Sequence, residues 1–272
     1  MKQILWFRRD LRVNDSAILS FAKDEVLPIF IFDKNILDKL QEDDKRVTFI
    51  YKSVLKLKED LKNLGLDLAV FYSTPKEVFE GFKNQGFDSV LCSVDFDDYA
   101  KKRDEEIAKI IPMQTFTDSF ITHPNDCLKA DKTPYKVFTP YYNNLKFIWN
   151  SYRLEEFETN KNLKLIPFDF DSIPTLENMG FIKQTLPDFL QKNPDELLKD
   201  FEQKIDNYKI DRDFFDKNAT SNLAVHLRFG LLSPRQIFNK IKVFKARNEN
   251  KEFFVRELFW REFYNYILFH FP

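Results

Sequence analysis

At 272 residues the chain has room for one large domain or two ordinary ones, with a substantial core. Its 43% hydrophobic and 31% charged residues fit a soluble globular protein, and no apolar run is long enough to span a bilayer. The start "MKQILWFRRDLR" has no apolar signal stretch ahead of its charges. Cys92 and Cys127 form no close pair and the three histidines are scattered, so no metal site is expected, and a cytoplasmic protein with reduced thiols is the simple reading.

The first 120 residues alternate. "QILWF" reads as a buried strand, and Asp15 is placed to cap the short helix "SAILSFAK". "VLPIFIFD" is a second strand, followed by a helical pattern from Val47 to Leu64 that stops at Gly65. "DLAVFYS" leads into "TPKEVFEGFKNQG", where Thr74, Pro75 and Glu77 make a capping box. "SVLCSVD", "YAKKRDEEIAKII" and "MQTFTD" complete the series. This rhythm predicts an α/β fold, a Rossmann-like parallel sheet with helices on both faces. Prolines then punctuate residues 122–195, which read as a connector with a short helix near Tyr141–Trp149. From Asp195 onward the periodicity is helical, and Ser233–Pro234 is a helix start.

Neither G-x-G-x-x-G nor G-x-x-x-x-G-K-[ST] occurs, so the usual backbone cradles for a dinucleotide or a triphosphate are missing from the sequence. The first strand instead runs into "FRRDLRVND". That loop is either a salt-bridged surface or, at the carboxyl edge of a parallel sheet, a ligand or domain-docking site. Residues 219–272 hold nine Lys/Arg against four Asp/Glu, a balance that permits an anionic partner such as nucleic acid.

The last helix, "VRELFWREFYNYILFHFP", is apolar nearly all round. Glu257, Trp260, Arg261 and Tyr264 fall on one face, Phe254 extends it, and Glu257–Arg261 has the spacing of an ion pair worth ~0.3–0.5 kcal/mol. A carboxylate beside an indole suits a flat hydrogen-bonding ligand such as a nucleobase; a core helix with an internal salt bridge is the plainer reading. In "TSNLAVHLRFGLLSPRQ" a Thr-Ser pair opening a helix offers an anion site or an ordinary cap. His226 reads as a packed histidine.

With these stretches in place, the chain resembles the DNA photolyase/cryptochrome family from end to end. "LWFRRDLRVND", "DFDDYAKKRDEEI", "YKVFTPYYNN", "YKIDRDFF", "TSNLAVHLRFGLLSPRQ" and "RELFWREFYNYIL" are similar, in order, to its motifs. The resemblance implies an antenna domain over 1–122, a connector over 123–194 and the first part of an all-α FAD-binding domain over 195–272. It implies deoxyribodipyrimidine photo-lyase activity: electron transfer from light-excited reduced FAD that splits cyclobutane pyrimidine dimers in damaged DNA. Tyr208, Thr220, Ser221, Asn222, Leu223 and Ala224 would hold the FAD phosphates and ribityl chain, with Phe254 and Arg261 beside the flavin. Arg212 would bind the DNA backbone. Glu257 would hydrogen-bond the damaged bases from a carboxyl kept neutral by burial, Trp260 would stack on the flipped dimer, and Arg261 and Tyr264 would line the same pocket.

The chain departs from the family pattern in three places. Asn222 and Ala224 stand where the family commonly has a basic residue and Ser. Tyr99 and Ala100 stand where folate-antenna members have Asn-Glu, so a folate antenna is not expected and the antenna chromophore stays open. Family members also continue past this helix. The chain is therefore expected to be an N-terminal part, inactive or incomplete alone, with residues 1–120 folding stably and the exposed aromatics inviting self-association or a missing C-terminal half. The alternatives are a cryptochrome-type photoreceptor without repair, or a non-catalytic α/β module binding a small molecule or protein.

Overall fold

The computed structural model describes residues 1–151 and 153–271. The first half is built from β1 (Lys2–Phe7), α1 (Ala17–Phe21), β2 (Glu25–Asp33), α2 (Lys34–Leu37), α3 (Lys45–Asn63), β3 (Ala69–Ser73), α4 (Pro75–Phe82), β4 (Ser89–Ser93), α5 (Asp98–Ala108) and β5 (Met113–Phe116). The strands pair in parallel in the order β3-β2-β1-β4-β5. Central β1 is buried from Gln3 to Phe7, as expected for a strand covered on both faces. Its side chains alternate. Leu5 and Phe7 join the core beneath α1 and α3, while Ile4 and Trp6 join the core beneath α4 and α5. The Thr74 capping box forms in full.

The next elements are α6 (Phe138–Leu145), β6 (Lys164–Leu165), α7 (Asp188–Gln191), α8 (Pro194–Glu202), α9 (Tyr208–Asp211), α10 (Ala224–Arg228), α11 (Pro234–Val243) and α12 (Asn248–His270). The connector does more than link. Its β6 pairs with the start of β2, and Leu176, Met179 and Phe181 enter the sheet core. Phe138, Tyr141, Tyr142 and Trp149 enter the helical core with α8, α11 and α12. Among the described residues no helix is long and apolar enough to cross a membrane.

Two local expectations change. Asp15 does not cap α1: Ser16 occupies the cap position without a side-chain bond, and Asp15, at φ +50°, turns into a buried network. Thr220 and Ser221 do not open a helix. The residue before α10 is Leu223, and Asn222 takes a left-handed φ of +57°.

Candidate functional site

The loop after β1 docks the helical half onto the sheet. Arg12 donates to Asp118 at 2.7 Å, and Arg235 of α11 reaches Asp118 at 2.9 Å and Asp15 at 3.0 Å. Both carboxylates are sealed from solvent, and Ser233 donates its hydroxyl to Asp15. Two acids and two guanidiniums thus neutralise one another where water cannot, the only arrangement in which burying them is tolerable. The backbones meet as well: Leu11 N–H donates to Phe229 O at 3.1 Å, and a Cβ on Gly230 (φ +67°) would lie 2.1 Å from Arg9 O. Asp10, buried alongside, accepts from Ser93 Oγ at 2.6 Å, and burial followed by the nearby Asp118 pushes its carboxyl up.

This docking forms a cavity of about 430 Å³ at the carboxyl ends of β1 and β4, where the strand order reverses and open α/β sheets bind ligands. Arg8, Arg9, Ser93 and Asp95 supply the sheet side, and Ser119 and Phe120 come from the segment just after β5. Tyr208, Ser221, Leu223, Ala224, Leu227 and Arg228 form a helical wall, and α12 contributes Phe254, Glu257, Leu258, Arg261 and Asn265. Arg8 is tied to Asp104 at 2.6 Å and Arg9 to Asp95 at 2.6 Å. Arg228 has no ion pair among the described residues, and burial, then Arg9, lowers its pKa. Phe254 packs edge-on to Tyr208 at 5.4 Å, and burial raises the Tyr208 hydroxyl to about 12. A second, smaller cleft of about 170 Å³ shares Arg8, Arg9 and Asp95 and is lined by Trp6, Phe30, Phe32 and Tyr99, whose hydroxyl donates to Asp33.

Of the residues singled out from sequence, Tyr208, Ser221, Leu223, Ala224, Phe254, Glu257 and Arg261 converge on the main cavity. Thr220 and Asn222 do not; they line a neighbouring cleft of about 480 Å³ with Lys192 and Lys204, which Ser221 also borders. Trp260 and Tyr264 lie off the cavity face. The Trp260 ring stacks on Phe138 at a centroid distance of 3.6 Å and 11°, with Tyr264 on it at 5.7 Å and 30°. The expected Glu257–Arg261 pair is absent too. Glu257 pairs with Arg212, and Arg261 donates to Ser119 O at 2.7 Å. The Glu257 side chain is 30% exposed and paired with a guanidinium, so the burial expected from the sequence is not found.

Sequence reasoning missed Arg228, Leu258 and Asn265. Phe254, Leu258, Arg261 and Asn265 also follow helical spacing, so the stripe that faces the cavity is the expected one turned by about one residue.

Comparison with known proteins adds the lineage. The sequence profile of DNA photolyase matches residues 3–159. The deoxyribodipyrimidine photo-lyase of Alkalihalophilus pseudofirmus is 28% identical over 98% of this chain and 59% of its own length. Cryptochrome-2 of Arabidopsis thaliana is 24% identical over the whole chain and 49% of its own length. Among solved structures, an archaeal photolyase from Sulfolobus tokodaii with two FAD molecules superposes with a TM-score of 0.79 at 26% identity, covering 100% of this chain and 60% of that one. A Synechocystis cryptochrome shares the fold with a TM-score of 0.84 at 18% identity, covering 100% and 62%. The chain spans about three fifths of the photo-lyases it matches, here 59%. Profile and fold agree, and the chain belongs to the DNA photolyase family.

Proposed function

We propose that the protein acts as a deoxyribodipyrimidine photo-lyase, binding FAD in the main cavity and splitting cyclobutane pyrimidine dimers in DNA under light. One observation carries the reading: α12 delivers Phe254, Glu257, Leu258 and Arg261 to a cavity walled opposite by Tyr208, Ser221 and Leu223. The residues fit a flavin nucleotide. Phe254, Leu258 and Leu223 offer apolar surface to a flat ring, while Ser221, Arg228 and Arg261 offer donors to phosphates and hydroxyls. When bound, reduced FAD supplies on illumination the electron that opens the dimer.

The chain's own residues bind and orient. Arg212, with a side chain 26% exposed, exchanges its Glu257 partner for a DNA phosphate. That exchange frees the Glu257 carboxylate to meet the base edge, so backbone contact and lesion contact are coupled. The Trp260 indole receives the extruded base by exchanging the stacking contact of Tyr264, while Phe138 keeps the ring in place.

The photoreceptor reading has its own support, since Trp260 stacks with Phe138 and Tyr264 as it stands. The test is FAD titration by fluorescence, followed by blue-light repair of an oligonucleotide carrying one thymine dimer. Repair that falls on Trp260→Ala supports the photo-lyase. FAD binding without repair favours the photoreceptor, and no FAD binding by the chain, either alone or supplemented with the C-terminal part of a longer relative, refutes both and leaves the non-catalytic reading.

A further inference from the structure

Glu262 follows Arg261 on α12 and is only 3% exposed. Its Oε2 accepts from the Ile121 N–H at 2.9 Å and lies 3.5 Å from the Thr122 N–H. The two residues before these are held by their carbonyls: Arg261 donates to Ser119 O at 2.7 Å, and Arg235 to Phe120 O at 2.9 Å. Four consecutive residues of the segment after β5 are gripped in this way, and the first two wall the main cavity. Arg261 also lines that cavity, 3.4 Å from Glu262 Oε1. The other groups facing Glu262 are Arg235 from α11 and the Tyr141 hydroxyl from α6.

We propose that Glu262 is a positioning residue of the cavity, which holds the Ser119–Thr122 wall and competes with an anionic ligand for Arg261, so that the ligand binds with uptake of a proton at Glu262. The proposal rests on the reading that the cavity takes a flavin nucleotide. Ionised Glu262 neutralises Arg261; a phosphate drawn to Arg261 repels that carboxylate and favours its neutral form. Linkage then requires the converse, that affinity for the anion rises as Glu262 takes up its proton. A neutral carboxyl still accepts from the Ile121 N–H through its carbonyl oxygen, so the wall stays in place while the competing charge disappears. Burial, the largest influence, raises the Glu262 carboxyl to about 7, which puts the transition near neutrality.

The test measures FAD affinity between about pH 5.5 and 8.5, and amide exchange at Ile121 and Thr122 corrected for its intrinsic pH dependence, in wild type, Glu262→Gln and Glu262→Ala. Wild-type affinity is expected to weaken about tenfold from the acid to the alkaline end. Glu262→Gln keeps both the wall's protection and tight binding across the range. Glu262→Ala loses protection at both amides by about tenfold or more. Wild-type pH dependence persisting in Glu262→Gln overturns the proposal, as does unchanged protection in Glu262→Ala. Wild type that binds no FAD at any pH refutes the flavin reading instead, and the exchange data then decide the grip on the wall by themselves.

Discussion

Replacing Gly230 with Ala should undo the docking of the two halves. The new Cβ would lie 2.1 Å from Arg9 O and 2.6 Å from Asp10 Cα. Both are backbone atoms, so no rotamer change relieves the overlap. The left-handed φ of +67° alone costs an L-residue about 1–2 kcal/mol. Moving Gly230 away from the β1 loop also strains two contacts, Leu11 N–H to Phe229 O at 3.1 Å and Arg12 to Gly230 O at 3.3 Å. At about 1 kcal/mol for each bond, the sum is ~3–4 kcal/mol. Gly65→Ala is the control. Its φ is +76°, but nothing lies within 4 Å of the added Cβ, so only the backbone cost of about 1–2 kcal/mol applies. Urea unfolding followed by circular dichroism and by tryptophan fluorescence (Trp6 in the sheet; Trp149 and Trp260 in the helical half) measures both. Equal losses in the two variants, within about 0.5 kcal/mol, would falsify the close approach at Gly230.

Arg235→Met removes a cation from between Asp15 and Asp118 and should cost ~3–5 kcal/mol in the same unfolding assay; a loss below ~1 kcal/mol means the acids are hydrated. Glu257→Gln breaks a partly exposed pair with Arg212, so stability should change by no more than about 1 kcal/mol while the yield of dimer repair falls; an unaltered yield removes Glu257 from the chemistry. Glu262 is raised from 4.5 to about 7, so between those pH values the native carboxyl keeps a proton that the unfolded one has lost. Its contribution is therefore full below 4.5 and is lost as pH rises toward 7, by about 3 kcal/mol. The stability difference between wild type and Glu262→Gln should follow that slope, and parallel pH profiles would contradict it.

The parallel sheet was legible because β1 to β4 are apolar runs closed by turn chemistry. The Thr74 capping box and the Ser233–Pro234 helix start are local signals, and both form. What sequence could not supply was the phase of α12. With Phe254, Val255, Leu258, Phe259, Phe263 and Tyr266 buried around it, apolar residues mark no single face, and the stripe containing Trp260 and Tyr264 looked as good as the one containing Leu258 and Asn265. Partners were equally hidden. Glu257 found Arg212, 45 residues upstream, in preference to Arg261 one turn away, because tertiary packing turns Arg261 toward Ser119. Asp15 looked like a cap for α1 because nothing local reveals that Arg235 awaits it from the other half. β6, only two residues long, carries no periodicity to read.

The route of the connector sets the order in which the molecule can be assembled. Residues 138–149 pack with the helices, 164–181 return to complete the sheet, and the chain then leaves for the helical core again. During synthesis the fifth strand emerges well before Leu176, Met179 and Phe181, so the apolar surface beneath α1 and α3 stays partly uncovered in the meantime. A polypeptide released soon after β5 would hold every main strand of the sheet and still lack part of its core. Nascent chains stalled before and after residue 181 should accordingly differ in resistance to protease, although both already contain all five main strands.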